Sequence, residues 1–156
     1  MSGEDEIRVV LELESGYAFR VSFEGTTLDD IHTDEPAPLG ADTGPNPSRL
    51  LLAAIANCLS SSLLFALRKF HNQPGPLRTV ATAKLERNAD GRWRVPRARV
   101  ELQLAEAGTA HQSIERILAQ FEQFCVVTQS VREGMEVDVV VRDAEGRVLA
   151  GEGAPS

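Results

Sequence analysis

The chain reads as an α+β protein with antiparallel sheets wrapped around one long central helix. Three observations carry that reading. Apolar residues alternate with polar ones in pairs of short runs joined by turn residues, the pattern of hairpins. One run, Leu50 to Leu67, holds eighteen residues without a charge. The order is hairpin, long helix, hairpin, two shorter helices, hairpin, and hairpins separated by helices indicate α+β. At 156 residues the chain fits a single domain, 1–156, with enough length to bury a sizeable core.

Residues 6–13 alternate most clearly at Val9, Leu11 and Leu13, and Ser15-Gly16 turns the chain. Tyr17, Phe19, Val21 and Phe23 then alternate strictly with Ala18, Arg20, Ser22 and Glu24, giving a second strand that pairs back on the first. Residues 26–45 carry Asp29-Asp30, Pro36, Pro38, Gly40, Gly44 and Pro45 and read as a long loop with a short strand near Leu28–Ile31. A loop this long that delivers the chain to a central helix is read as functional.

The helix opens at Asn46, an N-cap residue, followed by Pro47 at the first helical position, where a missing N–H costs nothing. It closes on Arg68, Lys69 and His71, cations that suit the negative end of the helix dipole. A helix apolar almost all round belongs in the centre of something. Its charge-free run reaches the lower length limit of a membrane span. The mid-helix Asn57, Ser60, Ser61 and Ser62, and the lack of a second apolar segment to pack with, argue for a buried core helix instead. One sheet of this size cannot cover such a helix, so a second copy of the chain is expected on its other side.

After a break at His71–Pro76, Leu77 to Arg87 reads as a strand, Asn88-Ala89-Asp90-Gly91 as a turn and Trp93 to Leu104 as the returning strand, with Pro96 at an edge or bulge. Thr109 and Gln112 have the spacing of a capping box. Ile114, Ile117, Leu118, Phe121 and Phe124 then follow at helical spacing. A short helix begins after Cys125 and stops at Gly134, a C-terminal cap. Met135 to Val141 alternates as a strand, Asp143 to Gly146 turns, and Arg147 to Ala150 closes a last hairpin; residues 151–156 read as a frayed tail.

The net charge of −7 argues against a nucleic-acid partner, which needs a basic field. Arg87, Arg92, Arg94, Arg97 and Arg99 are scattered among acids and apolar residues and read as a solvated strand face, with an anionic-ligand patch as the alternative. The acidic N-terminus lacks the apolar core of a signal peptide, which suggests a cytoplasmic protein. His32, His71 and His111 have no metal-ligand spacing, and neither a metal nor a cofactor is expected. The serines at 60–62 form no nucleophile elbow, and no glycine-rich phosphate loop precedes a helix.

That leaves the two cysteines. Cys58 lies three turns inside the apolar helix, too deep to gain from its N-terminal dipole; a thiol in such surroundings has a raised pKa unless a cation or donor is brought to it. Cys125 sits between two helices at a plausible N-cap, where free N–H groups favour a thiolate. On local grounds Cys125 is the more acidic thiol. Whether the two meet in space does not follow from their spacing.

Together the two cysteine segments resemble the OsmC/Ohr family, the osmotically inducible protein C and organic hydroperoxide resistance proteins. That family has a loop ending Gly-x-Asn-Pro and a helix Pro-Glu-x-Leu-x-x-Ala-x-x-x-x-Cys. Gly44-Pro45-Asn46-Pro47-Ser48-Arg49-Leu50 to Cys58 is similar, with the step from Pro47 to Cys58 intact. The second signature, Cys-Pro-x-Ser/Thr before a short helix and a strand, resembles Cys125-Val126-Val127-Thr128 and the following Gly134-Met135-Glu136-Val137-Asp138-Val139. The resemblance implies an OsmC-like fold, an intertwined homodimer with two long helices at its centre, and a thiol peroxidase for organic hydroperoxides. It further implies that Cys58 attacks the peroxide and becomes a sulfenic acid, that Cys125 condenses with it to a disulfide, and that an external dithiol reduces the disulfide. An activating Arg is also implied, for which Arg20 in the N-terminal hairpin is the nearest candidate. Two positions depart from the pattern. Ser48 stands where the family has a Glu that holds the activating Arg, and Val126 replaces the Pro after the second cysteine.

Two other readings stay open at this point. One is a non-enzymatic dimer that binds a small apolar ligand at the same interface, with Ser48 marking lost catalytic apparatus. The other is a structural scaffold in which both cysteines are core residues, too far apart to bridge and closed to solvent.

Overall fold

The computed structural model describes residues 6–154. Strands β1 (Val9–Ser15), β2 (Ala18–Phe23) and β3 (Ile31–Thr33) form an antiparallel sheet in that order. Val9 opposes Phe23 and Leu13 opposes Phe19, so the first hairpin pairs as its alternation predicts. β3 falls about one turn later than the run expected near Leu28. Its position is fixed by pairing, Phe19 with Thr33 and Val21 with Ile31, rather than by its own pattern.

The loop from Asp34 to Asn46 is tied together by one carboxylate. Asp34, 3% exposed, accepts hydrogen bonds from the N–H groups of Glu35, Ala41 and Thr43 and from the Thr43 hydroxyl. These donors, the Thr43 hydroxyl foremost, hold its pKa below the usual carboxylate value. Gly44 lies against β3 so closely that a Cβ there would come within 2.6 Å of the His32 carbonyl oxygen. Only glycine permits that approach.

Helix α1 (Pro47–Lys69) starts as its sequence predicts: Asn46 is the N-cap, and its side-chain oxygen accepts from the Arg49 N–H at 3.0 Å. Ile55, Leu59, Leu63 and Leu67 are buried, one stripe at intervals of four. Each such side chain contributes about 1.5–3 kcal/mol when fully buried. The stripe packs on β4 (Arg78–Ala83), β7 (Ala98–Gln103), α2 (Ile114–Gln120), the 3-10 turn Phe121–Phe124 and α3 (Val126–Glu133). Ser60 adds a polar link, with its Oγ 2.7 Å from the Ala56 carbonyl and 2.6 Å from Thr79 Oγ1 on β4. The opposite face of α1, with Ala54, Asn57, Ser61 and Arg68, is exposed within one chain. By length and hydropathy alone α1 could cross a bilayer.

The second hairpin is interrupted. β4 pairs with β7 from Arg78↔Gln103 to Ala83↔Ala98, and a separate pair, β5 (Glu86–Arg87) with β6 (Trp93–Arg94), carries the turn. Two residues separate β4 from β5 but three, including Pro96, separate β6 from β7. Pro96 has no N–H to give the ladder, and the unequal count breaks the pairing there. At the hairpin tip Arg87 stacks on Trp93, 4.3 Å from the ring centre.

Three sequence expectations give way to longer-range contacts. Thr109 and Gln112 do not form a capping box. Gly108–Ala110 is a 3-10 turn, and α2 begins after Ser113, which is left-handed with φ 56° and makes no side-chain cap bond. The main chain of Gln112 is instead held by Asn72. The amphipathic run that was expected as one helix divides at Gln120 into α2 and a 3-10 turn. Finally, Met135 to Val140 forms no strand among the described residues. Only β8 (Val141–Arg142) pairs, with β9 (Val148–Ala150), and Val137 and Val139 are exposed. An alternating segment with no neighbour in its own chain has no ladder to join.

Candidate redox site

α3 is built as the sequence suggested. Cys125 is its N-cap residue, and Gly134 at φ 72° is its C-cap, with an N–H that bonds to the Ser130 and Val131 carbonyls. α3 and the preceding 3-10 turn pack against α1, which brings the two cysteines together although they lie far apart in sequence. Both are free thiols, Cys58 half-buried and Cys125 fully buried.

Cys58 packs against the core cluster that holds Cys125, and each thiol is among the groups that set the other's acidity. Burial pushes the Cys58 thiol above its ordinary value, and the neighbouring Cys125 pushes it further; the N–H groups of Val127 and Thr128 oppose both. Burial also acts to raise Cys125. There, the neighbouring Cys58 thiol, the hydroxyl and N–H of Thr128 and Ser62 outweigh it, and the thiol ends below its ordinary value. Cys125 Sγ and Thr128 Oγ1 lie 2.9 Å apart. The more open sulfur is therefore pushed up and the closed one down, and main-chain N–H groups of the α3 N-terminus bear on both.

The two cysteines are not both closed to solvent, since Cys58 is half-buried and packs against the cluster that encloses Cys125. The other residues singled out from sequence lie elsewhere. Ser48 is half-buried in the first turn of α1. Arg20 is exposed on β2, with Nη2 2.5 Å from Glu12 Oε2 and Nε 3.8 Å from Asp30. The largest influences on the acidity of Cys58 are burial, Cys125 and main-chain N–H groups rather than a cation. His32 lies between Glu14 and Thr43, and His111 is buried 3.4 Å from Glu106. Among the described residues no cluster of three or more His, Cys, Asp or Glu could hold a metal ion. Ser62, one of the polar exceptions on the apolar helix together with Asn57, Ser60 and Ser61, also bears on the Cys125 thiol. It stands one turn after Cys58 in a row of three serines, and nothing local distinguishes it from Ser60 or Ser61.

Residues 40–140 match the profile of the OsmC-like protein family, a span that includes α1, both thiols and α3. The chain belongs to the OsmC-like family. Solved structures agree with the OsmC-like fold. An OsmC-like protein from Mycoplasma pneumoniae is 13% identical with a TM-score of 0.67, covering 84% of this chain and 90% of that one. The organic hydroperoxide resistance protein OhrB of Bacillus subtilis is 17% identical with a TM-score of 0.59, covering 85% and 94%. An organic hydroperoxide resistance protein from Elizabethkingia anophelis is 20% identical with a TM-score of 0.59, covering 85% and 91%. No curated protein matches the sequence. Within this OsmC-like fold, the thiols meet where the central helix is crossed by the N-terminus of α3.

Proposed function

We propose that this protein is a two-cysteine peroxidase that reduces organic hydroperoxides. The observation that carries the reading is the packing of both thiols at one core cluster, where each bears on the other's acidity, with Cys58 half-buried and Cys125 sealed. Relatives of the same fold named for organic hydroperoxide resistance support it.

The chemistry follows from the pair. Transfer of the Cys58 proton to the Cys125 sulfur leaves a thiolate on the open side. That thiolate attacks the distal peroxide oxygen, the O–O bond breaks, and Cys58 becomes a sulfenic acid. The departing alkoxide takes the proton from Cys125 and leaves as an alcohol. The Cys125 thiolate then attacks the Cys58 sulfur; the S–O bond breaks, and hydroxide leaves as water after taking a proton from solvent. An external dithiol returns the disulfide to two thiols by exchange.

A homodimer completes the reading. The exposed face of α1 is apolar enough to need a cover, and the alternating segment Met135–Val140 has no partner strand in its own chain. A second copy supplies both. It also offers a route by which a cation, Arg20 of a second copy among the candidates, comes to Cys58, since the chain's own Arg20 is held by Glu12 and Asp30.

The test is stoichiometric. Reduced protein mixed with cumene hydroperoxide is expected to lose both free thiols and gain one intramolecular disulfide. Cys58→Ser is expected to abolish turnover with a dithiol reductant, and Cys125→Ser to stop at a sulfenic acid. Two thiols that remain free, or full turnover by Cys58→Ser, would sink the proposal. A second reading, a dimer that binds a small apolar ligand without catalysis, is favoured by Ser48, which lacks the carboxylate that would hold an activating Arg. Unreactive thiols together with a ligand retained in native mass spectrometry would select it.

A further inference from the structure

A cavity of about 290 Å³ opens between the C-terminal half of α1 and the helical segment after it. Its walls are aromatic: Phe65 and Phe70 from the α1 side, Phe121 and Phe124 from the 3-10 turn. The charged side chains that line it are both cations, Lys69 and Arg116, and no acid lines it. Arg116 is held in place, with its guanidinium 5.3 Å from the centre of the Phe70 ring. Among the described residues neither Lys69 nor Arg116 forms a salt bridge.

We propose that this cavity binds an amphipathic organic carboxylate, its apolar body among the phenylalanines and its carboxylate between Lys69 and Arg116. An apolar pocket with a few convergent polar groups is the usual form of a small-molecule site. Arg116 offers a planar fork that matches a carboxylate, and Lys69 adds a second, flexible charge. A neutral apolar ligand would leave both cations without use, and a small inorganic anion would leave the aromatic walls empty. Only a molecule with both parts satisfies both.

The position on α1 gives the site a direction. Cys58, Ser62, Phe65 and Lys69 recur at intervals of four, three and four and so share one flank of the helix. Ser62 both lines the cavity and is among the groups that lower the Cys125 thiol. The axial distance from Lys69 back to Cys58 is about 16 Å at the helical rise of 1.5 Å per residue. A carboxylate anchored at Lys69 would therefore extend its apolar chain toward the thiols. The binding claim itself stands apart from the peroxidase reading, because it rests on the walls and cations of the cavity and not on any reaction of the sulfurs.

The full chain is titrated into cis-parinaric acid, a fluorescent carboxylate with a polyene tail, and separately into its methyl ester. Saturable binding of the acid, with the ester at least ten-fold weaker, is expected. A Lys69→Gln/Arg116→Gln double variant is expected to weaken the acid ten-fold or more and leave the ester unchanged. Equal binding of acid and ester, no saturable binding, or an unchanged affinity in the double variant would overturn the site. Should that variant fail to fold, competition in the wild-type protein decides: dodecanoate must displace the probe and dodecyltrimethylammonium must not. Turnover of cumene hydroperoxide, which carries no carboxylate, is measured on the same samples. In the wild-type protein, no saturable probe binding with turnover present rejects this site alone, and no turnover with binding present rejects the peroxidase reading alone.

Discussion

The side chain of Asn72 grips the main chain of Gln112 from both sides. Its Nδ2 donates to the Gln112 carbonyl at 3.0 Å, and its Oδ1 accepts from the Gln112 N–H at 2.7 Å. A single buried amide thus does what a strand neighbour would do, and it anchors the segment before α2 to the end of α1. The placement of α2, and with it of the turn that leads to Cys125, depends on that grip.

Replacing Asn72 by Ala leaves one donor and one acceptor of Gln112 without their partners at a part-buried contact. The expected loss of stability is about 1–3 kcal/mol, seen as a lower urea midpoint with an unchanged slope. Asn72→Asp keeps the acceptor and loses the donor, so it is expected to fall between wild type and Asn72→Ala unless its charge is penalised by burial. A wild-type midpoint for Asn72→Ala would show that Gln112 is held by something else.

The thiols set each other's acidity, so each should shift when the other is removed. In Cys125→Ala the Cys58 thiol loses a neighbour that raises it, and its pKa is expected to fall. In Cys58→Ala the Cys125 thiol loses a neighbour that lowers it, and its pKa is expected to rise. Thiolate absorbance against pH reads both. Unmoved midpoints would mean that the sulfurs do not interact in solution.

Asp34 carries a pH dependence whose sign is fixed by its donors. Its folded pKa lies below the unfolded value, so its contribution is present above the unfolded pKa and lost as the pH falls through the folded one. Asp34→Asn is expected to lower Tm at neutral pH, and the gap to wild type is expected to close in acid. A gap that stays constant with pH would assign the effect to the shape of the loop rather than to its charge.

The two faces of α1 should answer differently to substitution. Leu63, 3% exposed, lies in the buried stripe, and Leu63→Ala is expected to cost about 2–5 kcal/mol of stability. Ala54 lies on the open face, and Ala54→Arg is expected to convert a dimer to single chains in sedimentation while α1 remains folded by circular dichroism. A variant that stays dimeric would move the interface to another surface.

What could be read from sequence was whatever a short stretch decides by itself. The start of α1 at Asn46-Pro47, the N-cap at Cys125 and the stop at Gly134 are each fixed by one or two residues, and each stands where the pattern put it. The capping box at Thr109–Gln112 had an equally good local pattern, but Asn72, remote in sequence, takes the same main-chain groups. β3 slid because a strand of three residues follows its neighbour's register and not its own composition. At the site, the acidity of Cys125 was legible because an N-cap is local. Its contact with Cys58, and the part played by Ser62, were not, because they depend on how α3 crosses α1.

The sealed position of Cys125 has a consequence for any reagent that meets this protein. Its sulfur is the more acidic of the two, yet it has no exposed surface, while the less acidic Cys58 faces outward. Acidity and reach therefore rank the sulfurs in opposite orders. Small electrophiles that slip between side chains should sort them by charge, and bulky ones by size. The protein acts as a sieve, and the first modification it records depends on the girth of the molecule that arrives.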